Sequence, residues 1–125
     1  MKNFKIGKEI KRILLSDEQV TEQLNNKCFP LVAKAGTTFP FLLYKRTSYR
    51  PASNKDYSNE IVSIEFQIVS TTYEESVNIA DSVADCLNNN KETDLIENLT
   101  IDNIREDFIE DSYVQIIDVS IELKD

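Results

Sequence analysis

With 125 residues, 41% apolar side chains, two glycines and three prolines, the chain is composed for one folded domain, 1–125, rather than for a linker or a disordered segment. Histidine is absent, which removes Ser-His-Asp and Cys-His nucleophiles, His-ligated zinc and the usual neutral-pH general base. Cys28 and Cys86 are too few and too far apart for a disulfide scaffold or a zinc site, and a net charge of −8 runs against duplex binding, which phosphate neutralisation drives.

In chain order, the first segment is basic, but Lys8, Glu9, Lys11 and Arg12 interrupt its apolar residues. It lacks the continuous apolar region of roughly 7–15 residues that a secretion signal needs, and no later run approaches the ~18 apolar residues of a membrane span. A cytosolic protein without membrane association is the expectation. Ile6, Ile10, Ile13 and Leu14 recur at helical spacing and predict an amphipathic helix over 5–15. Its basic face reads either as solvated surface or as a site for an acidic partner. Ser16 with Gln19 has capping-box spacing, predicting a second short helix over 17–25 that points Val20 and Leu24 inward. Asn25-Asn26 ends it, because Asn tolerates the left-handed position there.

Phe29 to Val32 reads as a brief extended segment and Phe39 to Thr47 as a strand. Pro40 belongs at that strand's start or on an edge, since it offers no N–H to a ladder. Leu42 and Tyr44 alternate with Phe41 and Leu43, so both faces are apolar near the start. Residues 48–59 predict a long connecting loop, and long loops in compact domains are often functional. Tyr49, Arg50 and Tyr57 are of types enriched at interfaces and are the candidate interaction residues; the alternative is a solvated hairpin tip. Glu60 to Ser70 is the clearest strand, with Val62, Ile64, Phe66 and Ile68 on one face and Ser63, Glu65, Gln67 and Val69 on the other.

Thr71-Thr72-Tyr73-Glu74-Glu75 supplies a capping box and negative charge for the start of a helix over 73–88. Tyr73, Val77, Ala80, Ala84 and Leu87 form its predicted inward stripe. Cys86 beside that stripe reads as a small buried hydrophobe. Leu99 to Arg105 alternates weakly, Glu110-Asp111-Ser112 turns the chain, and Tyr113 to Leu123 is the last strand, with Ile117, Val119, Ile121 and Leu123 inward.

Charge is distributed unevenly. Residues 1–73 carry 11 basic and 7 acidic side chains, and residues 74–125 carry 3 and 15, for nets of +4 and −12. Either these charges intermix on one folded surface, or opposite-sign faces meet between neighbouring copies, which favours head-to-tail rings.

The elements predict an α+β two-layer domain: a mostly antiparallel four-stranded sheet in the order α-β-β-α-β-β, with two main helices on one face. The uncovered face would then carry residues such as Leu42, Tyr44 and Val69. The leading helix, Phe29-Pro30-Leu31-Val32, Phe39-Pro40-Phe41, the step from Phe66 to Glu75 and the closing strand over 117–123 together resemble the tail-completion (tail terminator, head–tail joining) proteins of long-tailed bacteriophages and prophages. The resemblance implies a small α+β subunit of a homo-oligomeric ring, hexameric in the family. Such a ring caps the finished tail tube, contacts the tail tube protein and the head–tail connector, assembles in the bacterial cytoplasm and ends in the virion tail. It carries over no catalytic, cofactor-binding or metal-ligating residue and no sequence-specific nucleic-acid binding. An acidic lumen would repel rather than trap passing DNA. The alternative from another class is an acidic DNA mimic occupying the basic site of a nuclease or regulator.

Overall fold

In chain order the elements are α1 (Lys2–Ser16), α2 (Glu18–Leu24), β1 (Cys28–Pro30), β2 (Phe41–Arg50), β3 (Ile61–Ser70), α3 (Tyr73–Asn88), β4 (Ile96–Ile109) and β5 (Ser112–Leu123). The structure is a computed structural model that describes residues 1–52 and 59–125. The strands form one sheet in the order β1-β2-β3-β5-β4. β3 is central, antiparallel to β2 on one side and β5 on the other. β4 pairs antiparallel with β5 and so runs parallel to β3, with α3 as the crossover between them.

The period-two alternation of β3 determines the core. Val62, Ile64, Phe66 and Ile68 are at most 2% exposed and pack with Ile117, Val119, Ile121 and Leu123 of β5 beneath the helices. From α1, Ile6, Ile10, Ile13 and Leu14 enter the same cluster, and from α2, Val20 and Leu24. Two predicted features of the sheet need correction. The sheet has five strands, because Cys28 to Pro30 pairs in parallel with Leu42 to Tyr44. That short apolar segment finds the free edge of β2, and its proline sits at an edge, where a missing N–H costs nothing. Leu42 and Tyr44 are buried under α1 rather than facing out. The opposite face carries Phe41, Val69, Val114 and Ile116 instead.

The helix starts follow capping chemistry with one shift. Asp17, not Ser16, caps α2, accepting from the backbone N–H of Val20 at 3.0 Å, while Ser16 donates to the carbonyl of Ile13 at 2.8 Å. Asn25 then takes φ 55° at the C-cap of α2. Thr72 caps α3, accepting from the N–H of Glu75 at 3.2 Å. The Glu75 carboxylate accepts from Ser70 Oγ, and that oxygen accepts from the N–H of Thr72 at 3.3 Å. The box thus closes through a serine. The buried face of α3 is rotated from the predicted stripe: Ile79, Val83, Cys86 and Leu87 are at most 1% exposed, whereas Val77 is 38% and Tyr73 50% exposed.

β4 is longer than its weak alternation suggests, and two register shifts account for this. Irregularities between Ile96 and Asn98 and between Ile101 and Asn103 each add one residue. Spacings of three are thereby absorbed, and Ile96, Leu99, Ile101 and Ile104 stay on the helix side. Glu110 and Asp111, with φ 50° and 60°, form a two-residue connection to β5 of the primed kind that matches strand twist.

Candidate functional site

Among the described residues no group of three or more His, Cys, Asp or Glu side chains is placed to hold a metal, and no helix is long and apolar enough to cross a membrane. Cys28 and Cys86 are free and fully buried. Burial pushes their thiols up to about 11 and about 12 respectively. Attention therefore falls on surfaces.

The candidate interaction residues lie partly on a strand. Tyr49 and Arg50 belong to β2 itself, opposite Val62 and Ile61, because the ladder continues three residues past the predicted strand end at Thr47. Tyr49 donates to the Glu60 carboxylate at 2.5 Å, which raises the phenol's pKa. Tyr57 lies outside the described residues. The last six residues of β2, Lys45 to Arg50, are all exposed, since β1 is too short to cover their edge.

Two edges of the sheet carry exposed apolar side chains. At the β1–β2 edge, Phe4, Leu31 and Val32 are 68%, 67% and 73% exposed. Arg46 lies 4.7 Å over the Phe4 ring and donates to the carbonyl of Asn3 at 3.0 Å. A groove of about 330 Å³ runs between Phe4, Pro30, Leu31 and Arg46. Residues 23–50 include Lys27, Lys34, Lys45, Arg46 and Arg50 and no carboxylate; the carboxylates that reach them, Glu60 at Tyr49 and Glu65 at Lys45, come from the β3 side.

The β4–α3 edge has the opposite sign. Ile104, Glu106 and Phe108 share the helix-side face of β4, and Ile104 and Phe108 are more than half exposed. Tyr73 and Phe108 both stack edge-on against Tyr113, with centroids 5.9 and 4.9 Å away. Glu106 accepts from Tyr73 Oη and from Gln115 Nε2, each at 2.9 Å; the Gln115 amide bond, then the phenol, holds the Glu106 carboxyl below its ordinary pKa. Gln115 also donates to Ser76 Oγ at 3.3 Å, so the cluster is anchored to the start of α3. Further carboxylates on the same elements are exposed: Glu74 and Asp81 on α3, Asp102 and Asp107 on β4, and Glu110 in the turn that follows. Sequence reasoning turned Tyr73 inward and so missed this cluster. The period-two run Ile104, Glu106, Phe108 was the available signal.

Across the sheet, away from the helices, Glu65 is 8% exposed and is satisfied by Arg105 at 3.0 Å, Lys45 at 3.7 Å and the Gln67 amide at 2.8 Å. Arg105 also pairs with Asp118. This network links β2, β3, β5 and β4. Beside Glu65 lies a small recess of about 50 Å³, and the carboxylate, partnered from both sides, reads as a brace.

Fold and surfaces together define a small α+β domain whose distinctive chemistry is at its edges. No protein-family model matches the sequence, and no curated protein sequence matches it. Solved structures do share its fold. A chain in the virion of a native gene transfer agent particle superposes with a TM-score of 0.79 at 10% identity, covering 93% of this chain and 92% of that one. The bacteriophage SPP1 gp17 protein superposes with a TM-score of 0.61 at 17% identity, covering 98% of this chain and 91% of that one. The protein thus has the fold found in these virus-related proteins over nearly its whole length.

Proposed function

We propose that this protein is a non-enzymatic virion assembly subunit of the tail-completion type. It forms a ring, hexameric by resemblance to that family, that caps the tail tube and joins it to the head connector. It assembles in the bacterial cytoplasm and resides in the virion tail. The observation that carries the reading is the fold agreement with the gene transfer agent virion chain over more than nine tenths of both chains. The uneven charge, +4 over residues 1–73 against −12 over 74–125, supports self-association between unlike surfaces. The basic end of β2, with Tyr49 and Arg50, and Tyr57 beyond it, is proposed as a contact to the tail tube or connector.

The test is removal of the gene from the phage or prophage that encodes it, followed by electron microscopy and mass spectrometry of purified particles. The expected result is separated heads and tails, with the protein present only in complemented particles. Normal joined particles without it would refute the role. A monomer that blocks a DNA-binding enzyme would instead favour the DNA-mimic reading.

A further inference from the structure

We infer that the β1–β2 edge of one copy docks on the β4–α3 edge of the next, so that the unit of assembly is one heterologous, head-to-tail contact. The inference rests on the assembly reading only in taking a second copy as the occupant. The two edges lie on opposite sides of the sheet, about 19 Å apart at ~4.8 Å per strand spacing. Each exposes large apolar side chains: Phe4, Leu31 and Val32 on one, and Tyr73, Ile104 and Phe108 on the other.

Charge complementarity identifies the occupant. The first patch sits in a stretch of 28 residues, 23–50, with five cations and no carboxylate. The second lies on a strand and turn, residues 96–111, with six carboxylates and one cation, and that cation, Arg105, is already paired with Glu65 and Asp118. Like would repel like in a two-fold contact of either edge with itself. Unlike edges attract, and an unlike contact leaves one free edge at each end of a pair, so association continues until a ring closes. The groove between Phe4 and Leu31, about 330 Å³, is an apolar recess with the Arg46 guanidinium at its rim, Lys45 beside it being paired with Glu65. It suits an exposed aromatic such as Phe108 flanked by acids. The Tyr73–Glu106–Gln115 bonds hold the aromatic cluster in place before contact, which reduces the ordering cost of binding.

The experiment uses two variants of the full chain, Val32→Asp on one edge and Ile104→Asp on the other. Both positions are mostly exposed, 73% and 57%, and circular dichroism should match the wild type. In sedimentation velocity at tens of micromolar protein and low salt, the wild type is expected to form a closed oligomer. Each variant alone is expected to lose affinity at least about tenfold, equivalent to about 1.4 kcal/mol, and to run as a monomer. Mixed in equal amounts, the two should form a dimer and nothing larger, because one intact edge of each kind remains and the second junction sets Asp against Asp. Raising salt should weaken the wild-type oligomer.

A strict wild-type monomer, variants that assemble as well as the wild type, or a mixture that stays monomeric would each overturn this interface. If the variants assemble normally while the protein is found in particles, the interface fails and the assembly role stands. If the mixture dimerises but gene removal leaves normal particles, the role fails and the interface stands.

Discussion

Replacing Leu87 and Val77 separately by alanine distinguishes the buried face of α3 from the stripe that its sequence suggests. Both are apolar and lie on the same helix, yet Leu87 is 0% exposed in the core and Val77 is 38% exposed. Leu87→Ala removes buried carbons and leaves a cavity between α3 and the sheet, costing about 2–5 kcal/mol. Val77→Ala loses little burial and gains up to about 0.5 kcal/mol of helix propensity, so its net effect stays within about 0.5 kcal/mol. Against a total stability of about 5–15 kcal/mol, the first change is severe. At about 3–5 °C per kcal/mol for a chain of this length, it lowers the Tm by about 6–25 °C. Urea titration followed by circular dichroism measures both variants, with unchanged slopes expected. Submicromolar protein keeps self-association out of the comparison, since assembly would add apparent stability. Equal costs at the two positions, or a Leu87→Ala cost below about 1 kcal/mol, would refute the orientation of α3.

At the β4–β5 connection, Asp111→Gly should raise stability by about 0.5–1 kcal/mol, because φ is positive there and glycine relieves the Cβ strain; a lower Tm would show that Asp111 makes a compensating contact. Glu106 has a lowered pKa in the folded chain, so its bonds to Gln115 and Tyr73 stabilise the cluster above the unfolded carboxylate's pKa. They are lost as pH falls through the lowered folded value. The Gln115 side-chain amide resonance should shift on that acid limb, and Glu106→Gln should abolish the shift; an unchanged titration would assign it to another carboxylate. Cys28 and Cys86, buried and pushed up to about 11 and about 12, should resist a thiol reagent at mildly alkaline pH until denaturant is added. Rapid native labelling of either would contradict the burial.

The strands and helix starts were legible because they depend on near neighbours in the chain. Alternation along β3 and β5 placed Val62, Ile64, Phe66, Ile68, Ile117, Val119 and Ile121 inward, as found. A threonine cap at 71 or 72, which proves to be Thr72, and Tyr73–Asn88 as a helix followed from local hydrogen-bond chemistry. The resemblance to tail-completion proteins pointed to a fold that solved virus-related structures share.

Other features depended on what lies across the fold. Helical period alone left the rotation of α3 open, since Val77 and Val83 are equally apolar and only the crossover over β3 and β5 decides which meets the sheet. The fifth strand exists because Cys28–Pro30 finds a free edge on β2, a partner beginning 13 residues downstream of Cys28 at Phe41. Two bulges kept Ile96, Leu99, Ile101 and Ile104 on one face of β4, a correction that strict alternation cannot encode. The sign of charge in each half was readable from the chain, but strand order alone put the carboxylate-free stretch 23–50 at one edge and the acidic β4 at the other. An edge is a property of the finished sheet: a strand becomes one when no other segment pairs with it.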